Sequence, residues 1–280
     1  MSYIITVMNG TNVDLDKNEY MHTWLKFEDT SLNQPVYFSF GPTDEWSWFG
    51  FDSTGKFDYE HVTTRVPTEQ IQFIVTKEQY DIAVAMKVFY ETKGNVPTYD
   101  LLPDGAGDND YNCTRLSNEV LKKAGIYFLD NTQTPFGVAN KINNTDKVPN
   151  SDYVDLITYD ENSSAGWLDT TMNFKDIFDR SNTEIKDANL QFIENIGNNI
   201  PFLNPFIDQL NKNQAARDAY ASLIDESDLT PEEKNKYYAE LAEYTKRKSS
   251  EFKKSSDNFN ITLANNPGLA SHPALLIPIA

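Results

Sequence analysis

Short runs of apolar residues separated by turn residues dominate the first part of the chain, as in the strands of a sheet. The sequence predicts strands over 3–8, 22–27, 36–40 and 71–75, and a last strand of this part over 154–159. The polar residues between the second and third runs predict a hairpin. In the run 22–27, one face carries His22, Trp24 and Lys26, and the other carries Thr23, Leu25 and Phe27.

Two amphipathic helices are predicted between these strands. Thr76 and Gln79 form a capping-box pattern and Gly94 ends the segment, so we expect a helix over 77–92. Its apolar stripe consists of Ile82, Ala83, Met86 and Phe89. A second helix is expected to begin near Asn112 and to end at Gly125. Its apolar stripe consists of Cys113, Leu116, Val120, Leu121 and Ala124.

The second part of the chain has a helical pattern. After Asn131 the sequence is polar and rich in asparagine, and helical spacing begins near Asp169 with two short pieces, 174–178 and 185–196. Thr230 followed by Pro231 is a strong helix start, and that helix is expected to reach about Lys254. The apolar residues 271–280 include two prolines and are expected to dock on a surface groove. We therefore expect an α+β domain over 1–165 and a mainly α-helical domain over 166–280.

The net charge of the chain argues against several classes of function. The chain of 280 residues has a formal net charge of −18 and a pI near 4.5, so phosphate backbones and anionic lipid heads repel it. Neither nucleic acid nor a membrane surface is an expected partner. No apolar run approaches the ~18 residues of a membrane span, so no membrane insertion is expected. The first residues lack the basic and apolar regions of a signal peptide, so synthesis in the cytoplasm without one is expected.

Cys113 is the single cysteine and the most informative residue. Its predicted position is the first turn of a helix, where free N–H groups and the helix dipole favour a thiolate. A thiolate nucleophile usually needs a base, and the chain offers only His22, His61 and His272. The alternatives are a buried, inert cysteine on an apolar stripe and a surface histidine at the edge of a strand.

Several segments resemble one family when they are taken in order. Met21 to Phe27 contains a His-x-Trp pattern, and 36–42 is an aromatic strand that ends in Gly-Pro. The helix start at 76–86 precedes Tyr-x-Leu at 99–101, Asn-Cys-Thr at 112–114 and Ala-Gly-Ile at 124–126. This order is similar to that of the circularly permuted NlpC/P60 cysteine hydrolases, which are papain-like. Histidine precedes cysteine in that family, as here, where 91 residues separate them. The resemblance covers about residues 1–130.

The resemblance implies a fold and a site. The fold is a permuted papain-like NlpC/P60 domain followed by a helical domain, and the catalytic pair is Cys113 with His22. A polar residue on the next strand should orient the histidine, and Ser39 and Tyr37 are the candidates. Met21 departs from the family, which usually has glycine at this position.

Two further candidates, Asn112 and Tyr111, precede the nucleophile. An amide such as that of Asn112, or the backbone N–H of Cys113, is a candidate for the oxyanion hole. The alternative for Asn112 is a role as the helix N-cap.

The implied activity is hydrolysis of amide bonds in peptidoglycan peptides. Relatives of this kind include antibacterial toxins of the type VI secretion system, which act in the periplasm of a target cell. An immunity protein and a secretion-apparatus carrier are then expected partners. Two alternatives stay open: a lipid acyltransferase or thioesterase-like enzyme on the same fold, and a non-catalytic papain-like binding module.

No cofactor or metal is expected. The aspartates at 104, 108 and 110 do not have the spacing of an EF-hand, and no phosphate-binding loop, dinucleotide fingerprint or zinc-ligand spacing is present. A dense aromatic cluster has two interpretations, a packed groove wall or a platform for a glycan or muropeptide. The cluster consists of Trp46, Trp48, Phe49 and Phe51.

Overall fold

The computed structural model describes residues 2–10, 21–32, 34–43, 53–57, 67–103, 109–146, 153–154, 172–195 and 204–265. The chain divides into two compact units. The first comprises Met1–Leu168 and Glu226–Glu233, and the second comprises Asp169–Asp225 and Lys234–Ala280. The architecture is mixed α+β. His61, His272, the aromatic cluster, residues 104–108 and the segment 271–280 lie outside the described residues.

The strands and helices of the first unit follow the chain in this order. The strands are β1 Tyr3–Gly10, β2 His22–Asp29, β3 Val36–Phe38, β4 Phe40–Pro42, β5 Ser53–Phe57, β6 Glu69–Val75, β7 Thr98–Tyr99, β8 Asp110–Tyr111 and β9 Tyr153–Val154. The helices are α1 Lys77–Glu91, α2 Cys113–Lys123 and α3 Pro135–Asn144.

The larger sheet has five strands in the order β3-β2-β1-β6-β9. β1 lies between β2 and β6 and pairs antiparallel with both, while β9 runs parallel to β6. β2 and β3 form the expected hairpin, with Leu25 opposite Phe38. The helix α2 packs against β2, and α3 packs against β1, β2 and β6. The core between them is apolar, with Leu25, Phe27, Phe73, Leu116, Val120 and Phe128 fully buried.

The smaller sheet has the order β4-β5-β7-β8. The prediction of one continuous strand over 36–40 is wrong, because the run divides at Ser39 into β3, in the larger sheet, and β4, in the smaller one. A sharp change of partner at Ser39 therefore joins the two sheets. This position beside both sheets decides the contacts that Ser39 makes.

The predicted helix starts in this unit are confirmed. Thr76 caps α1 with a complete capping box, and Asn112 caps α2 by accepting a hydrogen bond from the Arg115 N–H. Gly125 follows α2 with φ of +76°, a left-handed conformation that glycine adopts without steric cost. α3 was not predicted. Thr134 is its N-cap and Pro135 is its first residue.

The apolar stripe predicted for α1 is only partly buried. Ala83 and Tyr90 face the core, whereas Ile82 and Phe89 are exposed. The predicted stripe is therefore wrong at these two positions. The buried face is rotated from that stripe towards Tyr90, and half-buried Lys87 and Glu91, which contact each other, lie on the same side.

The described residues of the second unit are mainly helical. They belong to α4 Phe174–Asn195, to α5 Asn204–Glu226 except its last residue, and to α6 Pro231–Asn265 except its first three residues. The two short pieces predicted over 174–196 belong to one helix, and α6 extends beyond the predicted end at Lys254. Phe192, Leu210 and Phe252 form a buried cluster that draws one side chain from each helix.

Long apolar helices of the kind that cross a bilayer are absent from the part of the chain that the structure describes.

Candidate functional site

Cys113 is the first residue of α2, as the sequence predicts. Its side chain is buried, with 3% of the residue exposed. The first turn of a helix presents N–H groups that intrahelical carbonyls do not use, and its dipole favours negative charge. The position at the helix start therefore favours a thiolate, whereas burial favours the neutral thiol.

Asn112 uses its whole side-chain amide to fix the start of α2. Its Oδ1 accepts a hydrogen bond from the Arg115 N–H at 2.8 Å. Its Nδ2 donates to the Leu101 carbonyl at 3.2 Å and to the Gln133 carbonyl at 2.8 Å. An amide nitrogen carries two protons, and both are donated to backbone oxygens. The structure therefore supports the N-cap role of Asn112 and leaves its amide without a proton for an oxyanion.

His22 is the first residue of β2 and is half-buried. Its ring lies nearly parallel to the Trp24 ring, with 6.0 Å between the centroids, so the two side chains share the face that the alternation predicts. Its Nε2 lies 2.8 Å from the Oγ of Ser39. Ser39 is itself buried, with 5% exposed. The hydroxyl therefore fixes one ring nitrogen of the histidine.

The structure distinguishes the two candidates for the residue that orients His22, Ser39 and Tyr37. Ser39 reaches His22, because the chain bends between β3 and β4. Tyr37 lies opposite Lys26 in the hairpin, four residues along β2 from His22, a distance of about 13 Å at the usual rise of a strand. Of the two, Ser39 is the residue in position to orient the histidine.

Tyr111 packs in an aromatic contact away from this hydrogen bond. Its ring meets the Tyr90 ring edge-on, with 6.4 Å between centroids. Burial raises the pKa of the Tyr90 phenol far above its usual value, and the neighbouring Tyr111 acts in the same direction. The described contact gives Tyr111 a packing role.

A hydrogen bond joins the two elements that carry the candidate pair. Thr23, which follows His22, lies 3.1 Å from Thr114, which follows Cys113, measured between the two Oγ1 atoms. Both threonines are fully buried. The start of α2 and the start of β2 are therefore tied together directly beside the cysteine and the histidine.

Neither threonine is among the site residues that the sequence predicts. A signal was present, because Thr23 lies on the face of β2 that also carries Leu25 and Phe27. A polar residue on an apolar face indicates a buried hydrogen bond. Its partner on α2 depends on the tertiary structure.

Two side chains on α1, outside the candidate pair, have shifted pKa values. Burial raises the pKa of Glu91 to about 7, and it lowers the pKa of Lys87, whose Nζ contacts the Glu91 carboxylate. These groups lie beside Tyr90 and belong to the packing between α1 and the rest of the unit. Within the described ranges, no group of three or more His, Cys, Asp or Glu residues is arranged to hold a metal ion.

Comparisons of the chain with protein-family models, with curated proteins and with solved structures find no significant match. Function is therefore inferred from the residues and their geometry. A thiol at a helix start and an imidazole fixed through one nitrogen are the parts from which a nucleophile and a general base are made.

Proposed function

We propose that this protein is a cysteine hydrolase that cleaves amide bonds, with a papain-like domain in permuted NlpC/P60 order. The observation that carries the proposal is the hydrogen bond between Nε2 of His22 and Oγ of Ser39, in a unit that ties the next residue, Thr23, to the helix that begins with Cys113. In this proposal Cys113 is the nucleophile, His22 is the base and Ser39 orients the imidazole.

The proposed proton transfers follow from the hydrogen bond between Ser39 and Nε2 of His22. When Nε2–H donates to Ser39 Oγ, Nδ1 carries the lone pair and takes the proton from the Cys113 thiol. The thiolate adds to the amide carbonyl carbon, and His22 returns the proton to the leaving nitrogen as the C–N bond breaks. A water molecule, deprotonated by His22, then hydrolyses the thioester to a carboxylic acid and restores the thiol.

Backbone groups are the proposed stabilisers of the oxyanion. The Cys113 N–H lies in the first turn of α2, where the helix dipole also favours negative charge. Asn112 contributes indirectly, because its three hydrogen bonds hold that turn in place.

The substrate and setting follow from the family resemblance. We propose peptidoglycan peptides as the substrate and an antibacterial role in the periplasm of a target cell, after delivery by a type VI secretion apparatus. An immunity protein and a secretion carrier are the proposed partners. The net charge of −18 favours partners with basic surfaces.

Periplasmic toxicity tests this proposal. Wild type, Cys113→Ala and His22→Ala are expressed in a Gram-negative host with an added signal peptide, and without one as a control for compartment. Thr6→Val serves as the matched variant, because Thr6 is buried on β1 and its hydroxyl has no hydrogen-bond partner among the described residues.

We expect lysis or rounding only with periplasmic wild type and Thr6→Val, and new amines and carboxylates in the digested muropeptides. Toxicity of Cys113→Ala equal to that of wild type would refute the catalytic assignment. Absence of toxicity with an intact wall would refute the wall substrate and favour a lipid acyl substrate for the same pair.

A second candidate function has one observation in its favour. Cys113 is only 3% exposed, which is typical of a structural cysteine, so a non-catalytic papain-like binding module is the alternative. In that case the native thiol reacts with alkylating reagents only when the protein unfolds, and His22→Ala leaves that behaviour unchanged.

A further inference from the structure

We propose that the hydrogen bond between Thr23 and Thr114 positions His22 against Cys113, and that Asn9 and Glu69 hold this bond in place. The inference rests on the proposed function, because it assigns positioning residues to the same catalytic pair. None of these four side chains is a catalytic residue.

The four residues form one row across three strands and a helix. Asn9 on β1 is the direct cross-strand neighbour of both Thr23 on β2 and Glu69 on β6. Thr23 Oγ1 lies 3.0 Å from Asn9 Oδ1, and Asn9 Nδ2 lies 3.3 Å from Glu69 Oε2. With the bond to Thr114, the row runs from β6 to the first turn of α2.

The direction of the hydrogen bonds is fixed by counting protons. Asn9 donates from Nδ2 to Oε2 of Glu69, which leaves its Oδ1 as the acceptor on the side of Thr23. Thr23 has one hydroxyl proton, which it donates to Asn9 Oδ1. Thr114 is therefore the donor to Thr23, and every bond points towards the carboxylate. Bonds aligned in this way strengthen one another in a low-dielectric interior.

Burial shows that the row belongs to the core. Thr23, Thr114 and Asn9 have no exposed surface, and Glu69 is 8% exposed. Removing one partner of a buried hydrogen bond leaves the other unpaired and costs about 1–3 kcal/mol, whereas replacing both partners by apolar groups of the same shape is close to neutral. Stability alone therefore does not require this pair of threonines, since a pair of valines has nearly the same shape.

The row supplies what apolar packing lacks, a fixed register. Leu116 and Val120 on α2 are fully buried, and the hydrophobic effect that favours their burial is non-directional. A directional bond of 3.1 Å between Thr23 and Thr114 does not tolerate small shifts along the helix axis. Because these residues directly follow His22 and Cys113, a shift of the bond is also a shift of the pair.

Thiol alkylation as a function of pH tests the inference. Cys113 is the only cysteine, so iodoacetamide incorporation by the native protein reports it alone. The variants are Thr23→Val and Thr114→Val, which remove the same bond from opposite sides, together with their double mutant. Thr23→Ser keeps the hydroxyl and loses only the methyl group. Thr6→Val is the matched loss of a buried hydroxyl outside the row, and His22→Ala reports the base itself.

We expect Thr23→Val and Thr114→Val each to slow alkylation at neutral pH by about 10- to 100-fold and to move the pH midpoint upwards. The double mutant should be no slower than the slower single mutant, and Thr23→Ser should stay within about threefold of wild type, which is under 1 kcal/mol in the barrier. Thr6→Val should be unchanged. Thermal melting shows whether each variant folds. If Thr23→Val does not fold, the alkylation rate of Thr114→Val alone tests the inference.

Three results would overturn the inference. If His22→Ala slows alkylation and the valine variants keep the wild-type profile, the base is real and the row does not position it. If Thr6→Val slows alkylation as much as Thr23→Val, the effect is a general one of buried hydroxyls. If His22→Ala has no effect at all, the proposed function fails and the positioning role fails with it.

Discussion

Replacing Asn112 tests how the start of α2 is held. A pure N-cap role predicts that Asn112→Asp is as stable as wild type and that Asn112→Ala is less stable, because aspartate and asparagine cap helices equally well. The structure predicts another order. Nδ2 of Asn112 also donates to the carbonyls of Leu101 and Gln133, and neither alanine nor aspartate supplies these donors.

The magnitudes follow from the three bonds. Loss of the cap to Arg115 N–H costs about 1 kcal/mol, and each lost donation to a buried carbonyl costs about 1 kcal/mol, so Asn112→Ala should lose about 3 kcal/mol. Asn112→Asp keeps the cap but sets a carboxylate oxygen against two carbonyl oxygens in a site that is 1% exposed. The loss of unfolding free energy in Asn112→Asp should therefore exceed that in Asn112→Ala.

Urea unfolding followed by tryptophan fluorescence measures this order. All four tryptophans lie before residue 169, so the signal reports the first unit. The predicted order of unfolding free energy is wild type, then Asn112→Ala, then Asn112→Asp. An Asn112→Asp variant as stable as wild type would show that the two donations contribute nothing, and the account of this helix start would be wrong.

Three further predictions concern stability. Gly55→Ala should cost about 1–3 kcal/mol in the first unit by fluorescence-detected unfolding, because the added Cβ would lie 2.7 Å from the Pro97 carbonyl and would overlap the Phe40 ring; no loss would refute the close approach. Phe252→Ala should cost about 3–5 kcal/mol in the second unit, seen as an earlier loss of helical circular dichroism, and an unchanged transition would contradict the buried cluster. Because burial raises the pKa of Glu91 to about 7 from 4.5, the folded protein holds a proton that the unfolded chain releases, so its contribution to stability is present below pH 4.5 and is lost as pH rises to 7. The loss should be about 1–2 kcal/mol after allowance for partial exposure, and Glu91→Gln should remove it; an unchanged pH dependence in that variant would refute the assignment.

The sequence predicts elements well where local chemistry decides them. The starts of α1, α2 and α6 are visible because Thr76, Asn112 and Thr230 bond to backbone groups only three residues away. The same kind of signal, Thr134 before Pro135, marks α3, but the surrounding polar sequence conceals it. Strands of two or three residues, such as β7 and β8, are too short for any periodicity to show.

The site is predictable only in part, because its contacts join distant segments. The predicted helix start suggests Cys113, and the family resemblance pairs it with His22. The choice of Ser39 over Tyr37 depends on the division between β3 and β4, which changes the sheet partner of the chain. The pairing of Thr23 with Thr114 spans 91 residues, and nothing local to either threonine specifies it.

The pH dependence of Cys113 alkylation in wild type and His22→Ala is the direct test of a catalytic pair formed by these two residues. The chain has a single cysteine, so the reaction needs no correction for other thiols. The account predicts that native wild type reacts with a midpoint below the value of about 8.5 for a free thiol, and that His22→Ala slows the reaction at neutral pH and moves the midpoint upwards. A native wild type that is inert until it unfolds, or two identical profiles, would contradict a catalytic pair of Cys113 and His22.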